Sequence, residues 1–244
     1  MVHILNGDSL LQQFPTALDG ERIVCRECLV DGTLFPEPLE ALFKSRSDYL
    51  DTEYRQENLP DYDTYAKAEF DKMLNLPACS EISLWFEDDV FCQINFWFCM
   101  FLLTHFEKSH TLYLVRPPKH TPYGFGGLSA QELLQAYKTR TKITSPKGIA
   151  SLWRLYSKRD IDGLLKKTVA LDNEFGFIHT AALAYAQSIP KGNDPGRPTK
   201  AVIAIKHELN TNQFGPVFKE FCQREAIYGY GDLQVKKIFD SILK

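Results

Sequence analysis

Apolar positions along this chain fall into two rhythms. Four short runs, VHIL (Val2 to Leu5), RIVCREC (Arg22 to Cys28), EISLWF (Glu81 to Phe86) and TLYLV (Thr111 to Val115), have the length and residue types of strands. The segments between them are long enough for helices. SLLQQFPTALDG holds a short helix broken at Pro15, and EPLEALFKSRSDYL and DYDTYAKAEFDKMLNL carry apolar residues at helical spacing. Residues 88–106 form one more helix, apolar enough to be buried on most faces. Strands alternating with helix-length crossovers predict an α/β fold with a Rossmann-like, doubly wound, mostly parallel sheet.

After Arg116 the rhythm changes. RPPKHTPYGFGG reads as a loop, SAQE (Ser129 to Glu132) as a capping box, and helices are expected over 129–140, 146–157, 160–170 and 175–188. The final block reads as helix, turn, helix, Gly-rich turn, helix. The expected organisation is an α/β domain over 1–122 and a mainly helical region over 123–244. Within the latter, 197–244 is either a winged-helix or helix-turn-helix unit or a plain helical cap.

Charge sharpens this division. Residues 1–116 hold 9 Lys and Arg against 20 Asp and Glu, a balance of −11; residues 117–196 balance at +5 and residues 197–244 at +3. Unlike halves attract each other across an internal interface, or leave a basic face for an anionic partner. Met1 runs straight into VHIL with no basic start or cleavage site, so no signal peptide is expected and a cytoplasmic location is. Val90 to Phe106 is at the lower limit for a membrane span and contains Gln93, Asn95 and His105, so no membrane partner is expected. Cys25 and Cys28 form a lone C-x-x-C whose sulfurs diverge in a strand; reduced packing cysteines are expected and no metal site.

In a doubly wound sheet, ligands bind beyond the carboxyl ends of the strands. The first strand ends in Asn6, Gly7, Asp8 and Ser9. The second carries Arg26 and Glu27, and the third ends in Glu87, Asp88 and Asp89, with Gln93 one turn into the next helix. These positions predict a polar crevice in which Asn6, Gly7, Asp8, Arg26 and Gln93 hold a small anionic ligand, a nucleotide or phosphorylated metabolite. Glu27, Glu87 and Asp89 are the candidate groups to orient polar parts of the ligand, to do acid/base work or to hold Mg²⁺. The competing account is that Asp8 or Ser9 caps one helix and Asp88 or Asp89 another. No cofactor is named, since G-x-G-x-x-G and GK[ST] are both absent; YGFGG (Tyr123 to Gly127) is a Gly cluster able to cradle a phosphate or simply to turn.

GDSL (Gly7 to Leu10) also matches the start of a GDS-type serine hydrolase, which makes Ser9 a candidate nucleophile. The G-x-N-D block and the late D-x-x-H of that family are missing. EKSH (Glu107 to His110) is the nearest approach, with His179 and His207 as spatial alternatives for a base. A further reading is a nucleic-acid-associated tail, whose phosphate contacts would be Arg197, Lys200, Lys206, Arg224, Lys236 and Lys237.

HILNGDSL, RIVCRECLVDG and LWFEDDVFCQINFWF, in this order over residues 1–116, resemble the bacterial domain of unknown function 1835 family, and VFKEFCQREAIYGYGDLQVKKI is similar to its carboxyl-terminal region. The resemblance implies an α/β amino-terminal domain with an attached helical region and no established activity. It picks out Asn6, Gly7, Asp8, Arg26, Glu27, Gly32, Glu87, Asp89, Phe91 and Gln93, and in the tail Gly231, Asp232 and Gln234. At Asp88 the chain departs from the family's His, which argues against an essential side chain there.

Overall fold

The computed structural model describes residues 1–35, 37–54, 60–106, 108–119 and 121–242, with no side-chain description for 172–174. Glu107 of the EKSH motif therefore lies outside the described residues. Five strands form one sheet in the order β2-β1-β3-β4-β5. They are β1 (Val2–Asn6), β2 (Glu21–Cys25), β3 (Glu81–Trp85), β4 (Thr111–Val115) and β5 (Thr141–Lys142). The first four pair in parallel, while β5 joins β4 antiparallel and makes the sheet mixed. The last strand is two exposed residues long, too short to leave a pattern in the sequence.

Alternation along the parallel strands sends apolar side chains to both faces, as a sheet covered on both sides requires. Ile4, Ile23, Ile82, Leu84, Leu112 and Leu114 join the larger core, with α2 (Leu39–Glu53), α3 (Ala68–Asn75), α4 (Val90–Thr104) and α6 (Pro146–Ser157). Leu5, Trp85 and Val115 join the smaller core on the other face, under α1 (Asp8–Gln13) and α5 (Ala130–Lys138). Capping sets two of these helices. Ser129 and Glu132 form the expected capping box of α5, and Asp89 accepts the Cys92 amide at 2.9 Å to start α4.

Helix α4 runs through the middle of the larger core with Val90 and residues Cys92 to Leu103 all buried, which explains its nearly continuous apolar sequence. Among the described residues, no helix is long and apolar enough to cross a membrane.

Beyond the sheet come α7 (Ile161–Ser188), α8 (Arg197–Glu208), α9 (Phe214–Arg224) and α10 (Asp232–Ser241). The two helices expected over 160–170 and 175–188 run together as α7, with one non-helical residue, Phe175, between them. Residues on both sides of position 122 share one core: β5 pairs with β4, and Trp153 of α6 packs on Phe98 of α4 with ring centroids 4.7 Å apart. Residues 197–242 carry no strand, so the winged-helix alternative lacks a wing and the helix-turn-helix or cap reading is left.

Candidate functional site

The strand expected to reach Cys28 ends at Cys25. Just beyond it, neighbouring side chains are drawn to partners on different elements. Arg26 donates from Nε to both Asp8 oxygens, at 2.9 and 3.1 Å, and from Nη1 to the Tyr65 carbonyl at 3.1 Å. Glu27 turns to Arg46 of α2, which donates from Nε at 3.0 Å and from Nη2 at 2.8 Å. Leaving the pleat frees the pair from strand alternation, so both residues reach the same cleft.

That cleft has a volume of about 990 Å³ and opens at the carboxyl ends of β1 and β2. Four expected ligand residues, Asn6, Gly7, Asp8 and Arg26, line it, and Glu27 contributes to its floor. Asn6 is committed to the framework: its Nδ2 donates to the Cys92 sulfur at 2.9 Å and its Oδ1 accepts from Asn95 at 3.0 Å, tying β1 to α4. Gly7, with φ 91, occupies the cap position of α1, where a side chain would be strained. Ser9 is not the cap of α1, a position that Gly7 holds. It sits exposed in the first turn, outside the cleft, and no His lines that cleft among the described residues. His179 instead hydrogen-bonds Thr168 at 2.9 Å.

Glu27 departs from its expected acid/base role. Its oxygens accept from Arg46, from the Tyr62 hydroxyl at 2.8 Å and from the Cys28 amide at 2.9 Å, and both members of the ion pair have side chains at 0% exposure. A carboxylate so fully used is a structural anchor. Arg46 also donates to the carbonyls of Asp31 and Cys28, which fixes the VDG turn against α2. Gly32 in that turn has φ 87, and a Cβ there would lie 2.7 Å from Arg46 Nη1 and 2.9 Å from the Tyr49 ring. Gly32→Ala is accordingly expected to cost about 2 kcal/mol or more in urea unfolding, through strain and displacement of the guanidinium.

The third strand end does not join the cleft. Glu87, Asp89 and Cys92 line a separate cavity of about 140 Å³, closed by Gly124, Gly229 and Tyr230. Gln93 is buried behind it, donating to the Glu87 carbonyl at 2.7 Å. Glu87 accepts the Phe125 amide at 2.5 Å, so the Gly cluster after β4 cradles this chain's own carboxylate in place of a phosphate. Asp88 pairs with Arg116. Burial and then the nearby Glu87 charge raise the Asp89 carboxyl to about 7, and burial first and Asp89 second raise the Cys92 thiol. Ligand atoms of Glu87, Asp89 and Cys92 lie within 4.8 Å of one another, the spacing of a cation site. Yet the Cys92 thiol donates to Glu87 at 3.3 Å and so keeps its proton in this arrangement.

Periodicity and strand-end logic miss the aromatic wall of the cleft, formed by Tyr54, Tyr62, Tyr65 and Phe91, and its far side, formed by Leu233 and Gln234 of α10. Phe91 and Gln234 are signalled only by the family resemblance. Gln234 crosses the molecule to donate to the Tyr54 hydroxyl at 3.3 Å. Tyr62 and Tyr65, three apart in DYDTY, read only as helix positions; their hydroxyls donate to Glu27 and Asp8, the latter at 2.5 Å.

The basic tail is mostly neutralised. Arg197 pairs with Glu225, Lys200 with Asp194, Arg224 with Glu208 and Glu220, Lys236 with Asp240 and Lys237 with Glu53, all within 3.0 Å, and Lys206 lies over the Phe239 ring. Five of the six cations expected to face phosphate already face carboxylates. Comparison with protein-family models, curated proteins and solved structures found no match to this chain.

Proposed function

We propose that this protein binds a small molecule in the cleft at the carboxyl edge of a Rossmann-like, doubly wound sheet. The observation that carries the reading is the position of that cleft. It opens at the carboxyl ends of β1 and β2, next to the junction of β1 with β3 where the strand order reverses, and Phe91 of α4 reaches it from the β3 side. Such switch points are where open α/β sheets take ligands. The volume is that of a pocket for a metabolite-sized molecule, with apolar walls and a few converging polar groups. Membership in the domain of unknown function 1835 family belongs to the same proposal, supported by Gly7, Asp8, Arg26, Phe91 and Gln234 meeting in one place.

Binding is favoured over hydrolysis because no nucleophile with an adjacent base lines the cleft among the described residues. The Cys28 thiol is pushed up to about 12 by burial first and by Glu27 second, far from a reactive thiolate. A nucleotide or phosphorylated metabolite would meet Arg26 only by displacing Asp8 from it.

A thermal-shift screen of a metabolite library tests the proposal. A true ligand at about 100 times its Kd adds about 2.7 kcal/mol, or roughly 5 to 10 °C for a chain of this size. Phe91→Ala and Gln234→Ala should each cut the shift by at least half. A library in which nothing raises Tm, or shifts indifferent to both substitutions, overturns it.

A further inference from the structure

The charge and surface of the cleft specify its ligand further than its position does. Among the described residues, the ionic side chains that line it are Asp8, Glu27, Asp51 and Asp61 against a single cation, Arg26. Two of the four carboxylates are balanced inside the protein. Arg26 holds Asp8 through both of its oxygens, and buried Arg46 holds Glu27. Arg26 has no charge to spare: it also binds the Tyr65 carbonyl, stands 3.6 Å from Glu69 and lies over the Tyr65 ring at 4.8 Å. Asp51 and Asp61 remain at the mouth, exposed and without a salt bridge to any described cation. Asp61 turns its oxygens to the Thr64 amide and hydroxyl, which orient a carboxylate without neutralising it.

Much of the remaining lining is aromatic. Phe91, half-exposed, and the open faces of Tyr54 and Tyr65 supply π surface, while Lys237 and Arg26 each lie over one of those two tyrosine rings, Tyr62 is buried, and all three phenol hydroxyls are spent on carboxylates. Rings of this kind attract cations through their quadrupole, and the exposed carboxylates of Asp51 and Asp61 at the mouth add a salt-screened Coulomb attraction. Among the described residues, an anion entering here meets net negative charge and a guanidinium already taken.

Resting on the ligand-binding reading above, we infer that the cleft takes an organic cation, with Asp51 and Asp61 attracting the charged group and the Tyr and Phe wall receiving its alkyl surface. Asp8 then acts as the gatekeeper of ligand charge. It masks Arg26, and its removal exposes the one cation that lines the cleft among the described residues.

Calorimetric titration with choline, adenosine and AMP separates the alternatives. Choline is expected to bind the wild-type chain, and its Kd to weaken at least tenfold in Asp51→Asn/Asp61→Asn, a pair of surface changes that leaves an amide oxygen at position 61 to accept from the Thr64 amide. AMP is expected not to bind the wild type and to gain measurable affinity in Asp8→Asn. Adenosine or AMP binding the wild type in place of choline would overturn the cation while leaving the cleft in use, and choline binding unchanged by the double substitution would overturn the role of Asp51 and Asp61 in attracting it. No binding by any of the three, to wild type or variant, would count against both inferences at once.

Discussion

Replacing Arg46 with leucine is expected to destabilise the protein by about 3 to 5 kcal/mol, because it removes one member of a fully buried ion pair and strands the other. Glu27 has nowhere to go: its side chain is at 0% exposure, and among the described residues Tyr62 and the Cys28 amide would be left as its only partners. The carbonyls of Asp31 and Cys28 lose donors in the same step. Most of the loss is the penalty of a lone buried charge, so Glu27→Leu combined with Arg46→Leu should recover a large part of it. The remainder, about 1 to 3 kcal/mol, is the cost of the unpaired Tyr62 hydroxyl and the two carbonyls. Urea unfolding of both variants decides the matter. An Arg46→Leu variant within about 1 kcal/mol of wild type, or a double variant worse than the single, would show that the pair is not the anchor described.

The second large effect is a dependence on pH that runs opposite to ordinary acid denaturation. Asp89 holds its proton in the folded chain up to about pH 7, through burial first and the Glu87 charge second, whereas an unfolded Asp releases it near 3.8. Between those values the folded chain binds more protons than the unfolded one, so this group makes stability fall as pH rises. Its contribution is fully favourable below about pH 4 and fully lost above about pH 7. At about 1.4 kcal/mol for each tenfold change in proton affinity, the decline amounts to about 4 kcal/mol. Asp89→Asn keeps an oxygen for the Cys92 amide and has nothing to ionise. Its stability relative to wild type should therefore climb between about pH 4 and about pH 8. Parallel profiles for the two chains, measured by denaturant unfolding, would refute the assignment.

Much of the frame was legible in the chain, and the reasons are local. VHIL, EISLWF and TLYLV alternate apolar residues to both faces, which states a covered parallel sheet; SAQE states a helix start; and Val90 to Thr104 is so apolar that only a buried helix fits it. Strand ends fell within one residue of where the runs stop, except at Arg26, where side-chain partners from α1 and α2 hold the chain out of the pleat three residues early. Strand β5 left no signal because two residues cannot show a period.

The site divides in the same way. Topology alone brought Asn6, Gly7, Asp8, Arg26 and Glu27 to one edge, because parallel strands share their carboxyl ends. It could not say that Glu87 and Asp89 would face a different cavity, since that turns on Gly124 and Gly229 packing against their carboxylates from distant segments. Nor could it say which charges cancel. Arg26 reads as an anion site in the sequence and becomes the internal counterion of Asp8 in the fold, and Arg46, one charge in an unremarkable helix, becomes the partner of Glu27.

By itself, then, the sequence determined most of the elements and the shared edge of their polar ends, consequences of side-chain periodicity and chain connectivity. Only the tertiary structure decided which charges cancel at that edge. Charge pairing and aromatic enclosure depend on residues far apart in the chain, such as Tyr54 and Gln234 at a separation of 180 positions, and no local pattern encodes their meeting.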